Sequence, residues 1–383
     1  MKGFSKRLAH VQEYYFSQKL KEVAKLKAEG KNVINMGIGS PDLPPHRSVI
    51  EALNTTASSK HAHGYQGYQG IPALREAIGQ FYQDHYQVRL NPDSEILPLM
   101  GSKEGIVHVS MAFLDEGDEV LIPNPGYPTY AAACKLAGAH AIAYDLKEEN
   151  NWEPDFEALK ALDLTKVKIM WVNYPHMPTG SRGSKELFQK IIQFGLENDV
   201  LIVNDNPYSF ILENEPKSIL SISGAHEIAL ELNSLSKTAN MAGWRVGWLA
   251  GRADLIDAVL KVKSNMDSGM FLGIQRGAIA ALSLGKGWYT GLNEEYQRRK
   301  MLILELASLL DLDVSKGAVG MFVWAKIKNN QSEIEFVDRL LSEKYIFITP
   351  GSIFGSNGAG YVRFSLCVPE VQIREAIERI KSI

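Results

Sequence analysis

Between residues 96 and 263, short apolar runs alternate with longer amphipathic ones, and no other feature limits the possible folds as tightly. The runs 96–100, 119–122, 141–144, 167–172, 200–204, 228–232 and 246–250 are strand candidates. Several are apolar at both odd and even positions, as strands covered by helices on each face must be. Helix candidates at 103–114, 127–137, 184–197 and 252–263 fall among them. This rhythm predicts an α/β layer structure with a mostly parallel seven-stranded sheet. Beyond about residue 290 it changes. A charged helix over 293–310, a run at 321–327, a hairpin-like 345–349, a glycine-rich loop at 351–360, a run at 361–366 and a final helix predict a smaller α+β part. Residues 6–29 read as a helix stopped by Gly30, followed by an extended, irregular stretch rich in glycine and proline.

At 383 residues, one large and one smaller domain are expected. The 41 basic and 44 acidic residues leave a net charge of −3, without the basic excess of a dedicated nucleic-acid binder. Cys134 and Cys367 are the only cysteines, too few for a disulfide framework and wrongly spaced for a metal site. The basic N-terminus is not followed by an apolar stretch, so no secretory signal is expected. No run elsewhere nears the roughly 20 apolar residues that a bilayer crossing needs. A cytoplasmic setting, with no membrane partner, is therefore the expectation. His61 and His63 lack a neighbouring carboxylate or thiol and read as surface residues, so no metal site is expected.

The chemistry concentrates in a few stretches. Lys237 lies in Asn233-Ser-Leu-Ser-Lys-Thr-Ala-Asn-Met-Ala-Gly-Trp-Arg-Val-Gly-Trp248, in Ser/Asn/Gly-rich surroundings rather than on a charged helix face. A lysine is most often a solvated charge, but one that forms an imine needs a desolvated, partly cationic setting. Ser234, three residues before it, and Arg245, eight after, are suited to an anionic group. Gly101-Ser-Lys-Glu-Gly105 follows a strand and opens a helix, either as a tight turn or as a phosphate-holding helix start. Neither a dinucleotide-binding glycine pattern nor a Walker-type Gly-Lys-Ser/Thr is present. Asn173-Tyr-Pro-His-Met-Pro-Thr-Gly180 and Asp205-Asn-Pro-Tyr208 each follow a strand, at the edge where open α/β sheets collect ligands. Asp205 is also compatible with a simple turn cap. Asn124-Pro-Gly-Tyr-Pro-Thr-Tyr130 places Tyr127 in a turn. Arg363 interrupts the apolar run Tyr361-Val-Arg-Phe-Ser-Leu366, where an internal salt bridge is the plain alternative to a binding role.

The lysine segment resembles the signature of the class I/II, aspartate-aminotransferase-like family of pyridoxal-phosphate enzymes of fold type I. The other stretches occur in that family's order along almost the whole chain. The resemblance implies a large cofactor domain over 45–285 and a small domain made of 1–44 and 286–383. It implies that Lys237 carries pyridoxal 5'-phosphate as an imine and later shuttles the substrate proton. Ser234, Arg245 and the main chain of Ser102 and Lys103 then hold the phosphate, and Tyr127 stacks on the ring. Asn173 and Tyr208 bond the ring oxygen, and Asp205 pairs with the ring nitrogen. Asn206 and Pro207 depart from the family's usual residues between Asp205 and Tyr208. Arg363, Gly39 and Asn173 receive the substrate carboxylate. Gly64-Tyr-Gln-Gly-Tyr-Gln-Gly70 matches a segment that crosses a dimer interface, from which Tyr65 reaches the partner's phosphate.

The implied function is a ping-pong transamination between an L-amino acid and a 2-oxo acid, in a homodimer with composite active sites. Lys103 suggests a dicarboxylic substrate of the aspartate, glutamate or diaminopimelate type, or a broad amino-acid range. Two rival readings are a carbon–sulfur β-lyase using the same lysine, and a regulatory protein that only binds the cofactor or another ligand.

Overall fold

The computed structural model describes residues 15–315, 317–329 and 331–382. All seven strand candidates join one sheet, in the order Ile96–Leu99, Gly247–Gly251, Ala229–Ser234, Leu201–Asp205, Val167–Val172, Glu119–Asn124 and His140–Asp145. Neighbours are parallel except at Gly247–Gly251, which runs antiparallel to both its partners. The two-sided apolar pattern has the expected cause. Along Val167–Val172, Ile169 and Trp171 pack towards Ile106, Val109 and Val259, whereas Met170 and Val172 pack towards Leu187, Phe188 and Ile191. Helices Ser102–Phe113 and Ala253–Lys263 thus cover one face and Lys185–Asn198 the other.

One charge sits inside this sheet. Glu231 is fully buried, and its carboxylate accepts hydrogen bonds from Tyr82 Oη at 3.0 Å, Asn204 Nδ2 at 2.9 Å, Ser218 Oγ at 2.8 Å and the Ile219 amide at 3.0 Å. Four donors are what make a buried carboxyl group tolerable in an apolar layer.

A second, antiparallel sheet has the order Thr349–Pro350, Tyr361–Ser365, Phe322–Ile327 and Leu312–Val314. The hairpin expected at 345–349 divides between two partners. Ile346–Phe347 runs parallel to Ile34–Asn35, and only Thr349–Pro350 turns antiparallel to Tyr361–Ser365. The partner of the first half comes from the N-terminal stretch, which local pattern does not reveal. The N-terminal helix is present as Tyr15–Ala28, and the earlier part of the expected 6–29 lies outside the described residues. Helices Arg47–Ala57, Pro72–Tyr86 and Leu272–Leu282 were not anticipated, and the charged helix begins at Lys286 rather than 293. Among the described residues, no helix is long and apolar enough to cross a membrane.

Candidate active site

The parallel strands end at one edge, and several of them deliver a polar residue there. Asp205 closes Leu201–Asp205 and is 5% exposed. Its Oδ2 accepts a hydrogen bond from Tyr130 Oη at 2.9 Å, while Oδ1 is buried without a hydrogen-bond partner. Burial drives this carboxyl up to about 7, against the opposing effects of the Tyr130 hydroxyl and Lys237. Tyr130 is itself fixed, stacked on Trp171 with ring centres 5.0 Å apart and planes 9° from parallel. Asn173 Nδ2 donates to the Asp205 carbonyl at 2.5 Å, and its Oδ1 accepts from the Met177 amide at 2.8 Å, so one side chain ties two strand ends and the following turn. Asn206 and Pro207, the departures from the family pattern, leave this arrangement intact. The Asn206 amide pairs with the Leu232 carbonyl at 2.8 Å and its side chain with the Lys217 carbonyl at 2.9 Å. Desolvation raises the Tyr208 phenol far above its ordinary range, against the pull of Arg363, and keeps it a neutral donor.

A few residues away, the chain forms a cradle of donors. Gly101 precedes the helix Ser102–Phe113 at φ 90° and ψ 153°, a conformation open essentially to glycine. A Cβ on Gly101 would lie 2.2 Å from Arg245 Nη2, and one on Gly247 would lie 2.7 Å from the Ser102 amide. The first amides of this helix have no intrahelical acceptor and carry the positive end of the helix dipole. Ser234 Oγ accepts from the Ser236 amide at 3.0 Å and starts the short helical turn Leu235–Thr238, which carries Lys237. Arg245, at φ 57°, is braced by the Ala242 carbonyl at 2.9 Å. Beneath this cradle Glu104, His108 and Asp267 converge. The Lys263 ammonium already meets both Asp267 oxygens, at 2.6 and 2.7 Å, and supplies the cation there.

Lys237 Nζ donates to the Gly39 carbonyl at 2.5 Å. Burial, and then the Arg363 and Arg245 guanidinium groups, pull its ammonium below the ordinary lysine range, while Cys367 and Asp205 oppose them. Across the cavity, Arg363 is 4% exposed. Its Nη2 donates to the Gly37 carbonyl at 2.8 Å, and its guanidinium carbon sits 3.9 Å from the Phe322 ring centre and 4.7 Å from that of Phe354. Gly39 admits no side chain, because a Cβ would approach Phe322 to 2.3 Å.

These groups surround one cavity of about 600 Å³. Eleven of the twelve residues singled out from sequence line it: Gly39, Ser102, Lys103, Tyr127, Asn173, Asp205, Tyr208, Ser234, Lys237, Arg245 and Arg363. The twelfth, Tyr65, is 94% exposed and stands outside the cavity of its own chain. Sequence reasoning missed Tyr130, Ser236, Phe322 and Phe354, which also line the cavity. Tyr130 and Ser236 lie within stretches already singled out. The two phenylalanines carry no local signal, since their importance comes from facing Arg363.

The cavity fits pyridoxal phosphate on its own terms. The bare, buried Asp205 Oδ1 calls for a proton-bearing partner such as a ring nitrogen. The glycine-lined cradle of amides, hydroxyls and Arg245 calls for a compact anion, and a desolvated amine lies between the two.

The model of the family described as aminotransferase class I and II matches residues 31–380. An LL-diaminopimelate aminotransferase of Dehalococcoides mccartyi is 39% identical over 378 residues, 98% of this chain and 97% of the relative. One from Aquifex aeolicus is 37% identical over 382 residues, 99% of each. Among solved structures, apo-BacF from Bacillus subtilis superimposes with a TM-score of 0.95 at 34% identity, covering 100% of this chain and 98% of that one. Aspartate aminotransferase from Thermus thermophilus with maleate gives 0.92 at 26% identity, covering 99% of each.

Proposed function

The chain belongs to the class I and II aminotransferases, pyridoxal-phosphate enzymes that move an amino group between an amino acid and a 2-oxo acid, and we propose that its donors are dicarboxylic amino acids of the diaminopimelate type. One observation carries this reading. Arg363 and Lys103 line the same cavity as Lys237, which offers a dicarboxylic substrate two cationic side chains. The similarity to LL-diaminopimelate aminotransferases supports it.

Bound pyridoxal phosphate supplies an electrophilic carbonyl carbon and a cationic ring that accepts the electrons left behind when the α-proton departs. The chain's own residues do the rest. The main chain of Ser102 and Lys103, with Ser234 and Arg245, would hold the phosphate, with Ser236 beside them. Asp205, through Oδ1, keeps a proton on the ring nitrogen, and Tyr127 covers one ring face against water. Asn173 and Tyr208 donate to the ring oxygen. Arg363 and the main chain of Gly39 fix the substrate carboxylate, which sets the α-hydrogen towards Lys237. Lys237, whose proton affinity desolvation lowers, would take that proton from the α-carbon and hand it to the cofactor's carbonyl carbon, two atoms along. The same steps run backwards with the 2-oxo acid.

The larger assembly follows from the same reading. The cofactor domain spans 45–285, and 1–44 with 286–383 form the smaller one. Two copies pair so that Tyr65 reaches the partner's phosphate. Supporting this, Gly269 packs against the Gln66 and Gly67 carbonyls, and Tyr65, Tyr68 and Met266 on these two loops are left exposed. The enzyme works in the cytoplasm, on small molecules alone.

An absorption spectrum recorded while single amino acids are added, with no oxo acid present, tests the substrate reading. LL-diaminopimelate, aspartate or glutamate should convert the lysine-bound cofactor to its amine form fastest. Faster conversion by aromatic or small neutral amino acids would overturn it. Release of pyruvate and ammonia would favour elimination instead.

A further inference from the structure

Arg299 lies on the helix Lys286–Leu309, is 2% exposed, and reaches into the seam between two chain segments. Its guanidinium grips Asp42 with both ends, Nη1 to Oδ1 at 2.6 Å and Nη2 to Oδ2 at 3.0 Å. Nη1 also donates to the Leu366 carbonyl at 3.0 Å, and Nε to Glu295 Oε1 at 2.8 Å. Asp42 comes three residues after Gly39, and Leu366 three residues after Arg363. One buried side chain therefore holds both segments that carry the carboxylate-binding groups.

The opposite end of the same seam is stitched by main chain. The Ser365 amide donates to the Met36 carbonyl at 2.7 Å, and the Gly37 carbonyl accepts from Arg363 Nη2 at 2.8 Å and from Thr349 Oγ1 at 2.9 Å. Between these two fastenings lies Gly39, pressed against Phe322 with no room for a Cβ. Burying a guanidinium is costly, and packing alone would be served as well by an apolar side chain. What a planar, two-pronged ion pair adds is a fixed distance and angle between the two segments.

We propose that Arg299, through Asp42 and the Leu366 carbonyl, is the positioning residue that sets the spacing of Gly39 and Arg363, and thereby the affinity for substrate carboxylates. It touches neither cofactor nor substrate. The proposal rests on reading Gly39 and Arg363 as the carboxylate grip.

The test uses the cofactor-loaded enzyme, with Arg299→Lys, Asp42→Asn, Arg363→Lys and the two doubles that combine Arg363→Lys with each of the first two. The readouts are KM and kcat for amino-acid donors, the dissociation constant of maleate as a non-reacting dicarboxylate, and the affinity for pyridoxal phosphate. Lysine keeps the charge but loses the fork. Arg299→Lys should raise KM and the maleate constant about 10-fold or more, as a misplacement approaching 1 Å does. Its kcat should stay within about threefold and its cofactor affinity unchanged, which is a loss of uniform binding. Asp42→Asn should do the same to a smaller extent, and its side chain, 24% exposed, is the gentler site should Arg299→Lys fail to fold. The doubles should lose less than the product of the single losses, because both changes damage one grip.

Unchanged maleate affinity in Arg299→Lys and Asp42→Asn, alongside a loss in Arg363→Lys, overturns this inference and leaves the carboxylate site standing. Unchanged affinity in Arg363→Lys overturns the site itself. Multiplicative losses in the doubles, or parallel loss of kcat and cofactor affinity, would mean that Arg299 only stabilises the fold.

Discussion

Asp205 makes the stability of the cofactor-free protein depend on pH in an unusual direction. Its carboxyl titrates at about 7 in the folded chain, against an ordinary 3.8. At about 1.4 kcal/mol for each pH unit between the two values, the gap corresponds to roughly 4 kcal/mol. The folded state binds the proton more tightly than the unfolded one. The associated stability is therefore complete below the ordinary value of 3.8 and disappears as the pH rises through about 7. Asp205→Asn cannot ionise and lacks this component. Denaturant unfolding of the cofactor-free wild type and of Asp205→Asn, compared across about pH 5 to 8, isolates it, because the other titrating groups are shared. Wild type should lose roughly 2 kcal/mol relative to the variant between about pH 5 and 7. Tyr130→Phe removes the hydroxyl that holds the Asp205 carboxyl down, so its transition should move to higher pH. Saturating pyridoxal phosphate offers Oδ1 a cationic partner and should flatten the wild-type trend. Parallel curves for wild type and Asp205→Asn would refute the account of a buried, unpartnered carboxyl.

Two further outcomes are expected from the cradle and its neighbour. Gly101→Ala forces a side chain into an unfavourable φ and towards Arg245, so affinity for pyridoxal phosphate should fall roughly 10- to 100-fold, the worth of one charge-assisted contact; titration of the cofactor-free protein checks this, and an equal loss for unphosphorylated pyridoxal would count against the phosphate role. Lys103→Ala should lower kcat/KM about 10-fold or more for dicarboxylic donors and little for neutral ones, because it removes one charge-assisted contact to the far carboxylate; equal losses for all donors would remove Lys103 from substrate recognition.

Chain-local information reached a long way here. Strand and helix periodicity, with punctuation such as Gly30 and Gly101, depends on neighbours a few residues away, and all seven strands of the main sheet were legible for that reason. Residues at strand ends, such as Asn173 and Asp205, were legible as cavity residues because an open parallel sheet brings its strand ends to one edge whatever the details of packing. Tyr130 lay in plain view, three residues from Tyr127, but its bond to Asp205 required the helix Thr129–Ala137 to pack over the end of a strand two places away in the sheet.

What the sequence determined by itself is thus the layered architecture, the order of its parts and the types of group brought to the edge of the sheet. Tertiary structure alone decided how those groups meet. Lys237 reaches the Gly39 carbonyl, Arg363 reaches Gly37, and Arg299 reaches Asp42, across 198, 326 and 257 positions of chain. Such pairings leave no period or spacing to read, because they arise when whole elements pack and bury their faces together. The same packing strips water from Asp205 and Lys237, raising the proton affinity of the one and lowering that of the other.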